Sequence, residues 1–132
     1  MWKTTSLLIL SLTVSSIPFN AVYANKSSKP ATQVGIASYY GHRFHGRMTA
    51  NGERFNKEEL SAAHRSYPFG TLLRVTNLDN QKSTLVRIND RGPYIKGRII
   101  DLSHRAAREL SFVDEGITRV KLEVIELGSD DT

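Results

Sequence analysis

The 132-residue sequence contains no cysteine. That excludes disulfides, lipid attachment through an N-terminal cysteine, and any metal site that uses thiolate. Metal ligands would have to come from His, Asp and Glu. There is no G-x-S-x-G elbow for a serine hydrolase and no H-E-x-x-H for a zinc peptidase. His42-x-x-His45 is a pair only, in a stretch rich in Gly and Arg, and a zinc site requires at least three converging ligands. No apolar run reaches the roughly 20 residues of a spanning helix. No Lys/Arg stripe with interleaved aromatics occurs, which argues against nucleic acid as a partner.

Residues 1–24 are present as a distinct segment. Lys3 precedes a short apolar core from Leu7, and the segment closes on the small-x-small triplet Val22-Tyr23-Ala24. That order reads as a secretory signal peptide cleaved near Ala24, leaving residues 25–132 without a membrane anchor. Removing Lys3 and no acid takes the formal net charge from +5 to +4. A modest positive excess on an exported chain suits an acidic cell-envelope polymer. "NKSSKPAT" (25–32) reads as a disordered leader and "GSDDT" (128–132) as a disordered tail, so residues 33–127 hold one domain.

Strand signals dominate that domain. Gln33–Gly41, Thr71–Leu78, Ser83–Asp90, Gly97–Ser103 and Ile117–Leu127 alternate apolar and polar residues or form short β-branched runs between turns. "DNQK" joins the second and third as a hairpin. Two short helices are expected: Asn56–His64, capped by Asn56, and Ser103–Leu110, capped by Ser103. Some six short strands and two short helices in about 100 residues, with no disulfide, imply an all-β fold. A small closed or nearly closed barrel hides strand edges efficiently.

Four residues could carry chemistry. Glu53 leaves the Asn51-Gly52 turn, His64 follows two alanines, Asp90 heads "NDRGP", and Asp101 follows Ile99-Ile100 just before the second helix. Each also has a plain structural reading: a solvated turn acid, a hydrogen-bonded core histidine, a turn cap, and a carboxylate near a helix N-terminus. Together, acids and a histidine at strand ends of a basic exported barrel suggest glycoside cleavage, which needs a proton donor and stabilisation of positive charge on the sugar.

The stretches "GIASYYGHRFHGRMTANGERFNKEELSAAHRSYPFGTLLRVTNL", "VRINDRGPY" and "RIIDLSHRAARELSF" resemble, in this order, the rare lipoprotein A (RlpA-like) family of lytic transglycosylases. The resemblance covers roughly Val34 to Val124. It implies a six-stranded double-psi β-barrel, shared in outline with expansins and barwin-like proteins, and endolytic cleavage of peptidoglycan glycan strands with a preference for strands stripped of stem peptides. It places the A-N-G-E glutamate on Glu53, the A-A-H histidine on His64 and the N-D-R-G-P aspartate on Asp90, with Asp101 at the I-D-L-S position. A typical member has a lipid-bearing Cys at the signal cleavage site and often a C-terminal SPOR domain. This sequence has no Cys and stops at Thr132, departures that bear on localisation and septal recruitment. An exported protein, periplasmic or secreted and not a lipoprotein, is expected, acting as a monomer.

On this reading Asp90 is the acid/base, Glu53 steadies charge on the sugar, and His64 orients a carboxylate. Asp101, Arg91, Arg98 and Tyr40 contact substrate, with the arginines receiving the lactyl carboxylate of muramic acid. No cofactor or metal is called for. Two other functions stay open: a non-catalytic, expansin-like glycan-binding or wall-loosening module, and an inverting glycosidase using Asp90 and Asp101.

Overall fold

A computed structural model describes residues 31–130, together with Lys3, Thr4, Ser11 and Thr13. The expected signal peptide and most of the expected leader therefore lie outside the described residues. Among those described, no helix is long and apolar enough to cross a membrane.

The described residues form six strands: β1 (Thr32–Tyr39), β2 (Ser61–Ala63), β3 (Leu72–Asn77), β4 (Ser83–Asp90), β5 (Arg98–Leu102) and β6 (Ile117–Glu126). One α-helix, α1 (His104–Glu109), and one 3-10 turn, His42–Phe44, accompany them. The strands close into a barrel in the order β1-β5-β2-β4-β3-β6. β1 runs parallel to β5 and β2 parallel to β4, whereas the other four pairings are antiparallel. Closure leaves no free edge, which suits an exported domain without disulfides.

Period two explains the interior. Val86 and Ile88 of β4, Leu73 and Val75 of β3, and Val120 and Leu122 of β6 are all buried, and Ile100 and Leu102 of β5 join them. Burial of each such side chain contributes about 1.5–3 kcal/mol. Ser103 caps α1 as its sequence implies, accepting the Ala106 N–H at 3.3 Å. The helix packs Ala106, Ala107 and Leu110 into the same core.

The other expected helix, Asn56–His64, does not form. Asn56 Oδ1 instead accepts the Glu58 N–H at 2.9 Å in a turn, and Ser61–Ala63 becomes β2. β2 sits between β4 and β5, where Ala62 and Ala63 are fully buried. Tertiary packing overrides helix propensity.

Both ends of the domain reach further than the sequence implies. Thr32 already belongs to β1, and Val124 N–H donates to Ala31 O at 3.1 Å. At the other end, Gly128 N–H donates to Thr71 Oγ1 at 3.0 Å and Asp130 Oδ1 accepts the Phe69 N–H at 3.0 Å. A Cβ on residue 128 would come within 2.0 Å of Phe69 O, so glycine permits this close approach. Residues 128–130 are thus tied to the barrel by hydrogen bonds between backbone N–H groups and side-chain oxygens, which a polar composition does not reveal.

Candidate active site

The register of four neighbouring strands builds the site. Ser38 of β1 pairs with Asp101 of β5, Asp101 pairs with Ala63 of β2, and Ala63 pairs with Asp90 of β4. Two acids eleven residues apart in sequence therefore occupy one row, separated by two inter-strand spacings of about 4.8 Å each. The β2–β4 ladder shifts register between Ala62 and Ala63, beside that row. Irregularities of this kind re-aim side chains near functional sites.

Above the row lies a groove of about 630 Å³, within the range typical of ligand clefts. Asp90, Asp101, Ser38, Tyr40, Arg91 and Arg98 all line it, together with an aromatic and basic rim. The expected substrate contacts are thus gathered in one place, whereas Glu53 and His64 are not among the lining residues.

The two aspartates have different surroundings. Asp101 lies inside β5 between the fully buried Ile100 and Leu102. Burial raises its pKa above the ordinary carboxylate value. The hydrogen bond from Ser38 Oγ and the charge of Arg98 oppose that rise, and the charge of Asp90 adds to it. Asp90, the last residue of β4, accepts three hydrogen bonds: Tyr40 Oη at 2.6 Å on Oδ2, and the Ala50 and Arg91 N–H groups at 2.9 Å each on Oδ1. Tyr40 is fixed between Phe55 and Phe44, with ring centroids 4.6 and 5.7 Å away. Burial raises the Tyr40 pKa, and its bond to Asp90 and the charges of both aspartates raise it further, so it stays a phenol and a donor.

Glu53 does leave a bend: Gly52 has φ +89°, and the Glu53 N–H donates to Asn51 Oδ1 at 3.1 Å. Its carboxylate then turns to β4. Arg87 grips it through Nη1–Oε1 at 2.9 Å and Nη2–Oε2 at 2.7 Å, and Asn89 Nδ2 donates to Oε2 at 3.3 Å. The Arg87 hydrogen bonds are the main reason its pKa falls to about 2; burial opposes them as the next largest effect, and Asn51, Asn89 and the charge of Arg87 add to the fall. The turn it anchors carries Ala50, whose N–H reaches Asp90.

His64 is buried, and both ring nitrogens are engaged. Nδ1 accepts the Ser66 and Tyr67 N–H groups at 3.1 Å each, which assigns the proton to Nε2, 2.9 Å from Gln33 Oε1. Burial lowers its pKa to about 4, helped by the charges of Arg65 and Arg91. Its ring therefore bonds to no carboxylate, and its contact with Asp90 is through the backbone, His64 N–H to Asp90 O at 3.2 Å.

Arg91 is committed as well. It donates to Tyr67 O at 2.8 Å and His64 O at 3.3 Å, lies 3.5 Å from Asp130, and covers the Phe69 ring at 3.8 Å. Its guanidinium braces the 64–69 segment. Arg98 makes no ion pair among the described residues.

Sequence reasoning passed over Ser38, Arg87, Arg43 and Arg47. Arg87 had a signal: it shares the polar side of β4 with Asn89, and both point to Glu53. Ser38 stands out only as a hydroxyl in a buried strand once its partner in β5 is known.

A family model described as lytic transglycolase matches residues 32–122. The chain belongs to this family. Its barrel is the family's double-psi β-barrel, as the motifs imply. Among relatives of the lytic transglycolase chain, a probable endolytic peptidoglycan transglycosylase RlpA of Synechocystis is 58% identical over 70% of this chain and 29% of its own. The endolytic peptidoglycan transglycosylases RlpA of Rickettsia felis and Campylobacter jejuni are each 50% identical, over 78% and 76% of this chain and 46% and 37% of theirs. The chain thus spans less than half the length of these relatives. Among solved structures, a Streptomyces papain inhibitor has a TM-score of 0.61 at 18% identity, covering 75% of this chain and 98% of its own. A Clavibacter michiganensis expansin has a TM-score of 0.58 at 22% identity, covering 73% and 51%. At such identities these last two speak to the fold alone.

Proposed function

We propose that the chain is an endolytic peptidoglycan lytic transglycosylase. It cuts the bond between N-acetylmuramic acid and N-acetylglucosamine in the cell envelope, outside the cytoplasm, preferring strands stripped of stem peptides. It works as a monomer with neither metal nor cofactor. The observation that carries this reading is the row Ser38–Asp101–Ala63–Asp90, which sets Asp101, whose pKa burial raises, and the triply hydrogen-bonded Asp90 in one groove. The RlpA relatives, named for this activity, support the choice of substrate.

Asp101 rather than Asp90 takes the acid's part. It protonates the leaving O4 of N-acetylglucosamine as the C1–O4 bond breaks. The O6 hydroxyl of muramic acid bonds to C1, and Asp101 takes up the O6 proton, so one group serves both transfers and no water enters. Asp90, held as an acceptor by Tyr40 and two N–H groups, faces the positive charge that develops on the sugar. Glu53 and His64 are positioning residues: Glu53 holds the turn that gives Asp90 the Ala50 N–H, and His64 the backbone next to Asp90.

The test is mass spectrometry of peptide-stripped glycan strands incubated with the protein and with Asp101→Asn. Anhydromuramic ends, lost in the variant, are expected. Ends heavier by one water would move the assignment to an inverting glycosidase. Intact strands that still bind the protein would leave an expansin-like binding module.

A further inference from the structure

The groove carries a feature that the proton transfers do not use. Arg43 and Arg47, both exposed, converge on the ring of Phe44, their Cζ atoms 5.0 and 5.3 Å from its centroid. Among the described residues neither makes an ion pair or a side-chain hydrogen bond; Arg98 on the same groove is likewise without an ion pair but has no such partner arginine on an aromatic ring, and Arg91 is occupied. We infer that Arg43 and Arg47 on Phe44 form an anion subsite that receives the free lactyl carboxylate of muramic acid, and so makes the groove select peptide-stripped glycan. This rests on the proposed glycan-cutting function.

Three features favour an anion here. Two like charges held near one ring repel, and an anion bound against them relieves the repulsion. Stacking on an aromatic face holds a guanidinium in place, so less freedom is lost when it pairs. The backbone beneath is fixed, with Phe44 N–H on Gly41 O at 3.1 Å, Arg47 N–H on Phe44 O at 3.0 Å and Gly46 N–H on Phe55 O at 2.7 Å.

Position ties the pair to the reacting centre. Phe44 packs on Tyr40, and Tyr40 donates to Asp90. The arginines are thus two rings from the carboxylate that faces the anomeric carbon. In muramic acid the lactyl group hangs from C3 of the same sugar ring. Its carboxylate is charged when free and becomes a neutral amide when a stem peptide is attached. A guanidinium fork pairs with a carboxylate through charge-assisted bonds that an amide cannot reproduce.

The test compares binding of peptide-stripped strands with the same strands after their lactyl carboxyls are converted to methylamides. Co-sedimentation is measured in an Asp101→Asn background, to prevent cutting, with and without Arg43→Gln/Arg47→Gln. Loss of charge-assisted bonds should weaken binding of amidated strands about tenfold, and the double variant should bind both kinds within about twofold. Its melting temperature should match that of the background, because both side chains are exposed. A double variant that keeps the tenfold preference, a background that never shows it, or failure to bind either strand would overturn the subsite. Cleavage is read separately. Strands bound with this preference but never cut leave the subsite and remove the lytic function, and strands cut without discrimination do the reverse.

Discussion

Replacing Glu53 with Gln separates a positioning role from a catalytic one. Its pKa falls from 4.5 to about 2, chiefly through Arg87. Taken at face value, that fall corresponds to roughly 3.5 kcal/mol at about 1.4 kcal/mol per unit. The side chains of Arg87 and Glu53 are 41% and 40% exposed, so solvent screening reduces the pair to about 1 kcal/mol. For a domain of this size that is a fall of about 4 °C in melting temperature at pH 7. Because the folded pKa lies below the ordinary one, the contribution is fully present above pH 4.5 and disappears as pH falls through about 2. Wild type and Glu53→Gln should therefore differ at pH 7 and converge near pH 2 when melted side by side. In cleavage assays, loosening the turn that gives Asp90 its Ala50 hydrogen bond should lower kcat about tenfold. Removing a general acid costs up to about 10⁴-fold. The alkaline limb of the pH–rate profile should stay where it is. Loss of that limb with a thousandfold fall in rate, or a stability difference unchanged down to pH 2, would refute the positioning role.

Two other perturbations probe the acid and the core. Ser38 donates to Asp101 and so favours its charged form; Ser38→Ala should raise the Asp101 pKa further. On the proposed mechanism cleavage needs Asp101 protonated and is lost as pH rises through its pKa, so the alkaline limb of kcat/KM should move to higher pH, and an acid-ward shift would exclude Asp101 as the donor. Phe112 is 1% exposed and meets Tyr39 edge-on at 5.8 Å; Phe112→Ala should cost about 3–5 kcal/mol in denaturant melts, and a loss below about 1 kcal/mol would mean that the site collapses around the smaller side chain.

Much of the barrel is legible because its strands repeat with period two over six or more residues. β4 runs from Ser83 to Asp90 as its alternation implies, and β6 is displaced by a single residue at its end. β2 is not legible. Three residues cannot display a period, and its alanines favour a helix in any local reading. They make sense only once β4 and β5 are known to flank them. The site divides in the same way. Motifs point to Glu53, His64, Asp90 and Asp101, but a motif does not say which way a side chain turns. Glu53 and His64 turn into the scaffold, to Arg87 and Gln33 respectively. Arg91 follows Asp90 directly, yet its guanidinium reaches back to Tyr67. These directions depend on partners 24 to 34 residues away in sequence, which spacing does not encode.

The same topology explains how two aspartates can act differently. β5 enters the barrel between β1 and β2, so Asp101 arrives in mid-strand with fully buried neighbours on either side. Few donors reach it there, and desolvation favours the protonated form. Asp90 arrives at the end of β4, where the strand gives way to a loop and free N–H groups are at hand. The turn at residues 49–53 supplies one more N–H, because Glu53 is tied to Arg87 three residues before Asp90 on the same strand. The row brings the two carboxyls into one groove, and strand depth gives them different surroundings. A fold that offers one acid in the strand interior and one at the strand end gives identical side chains different burial and different hydrogen-bond partners.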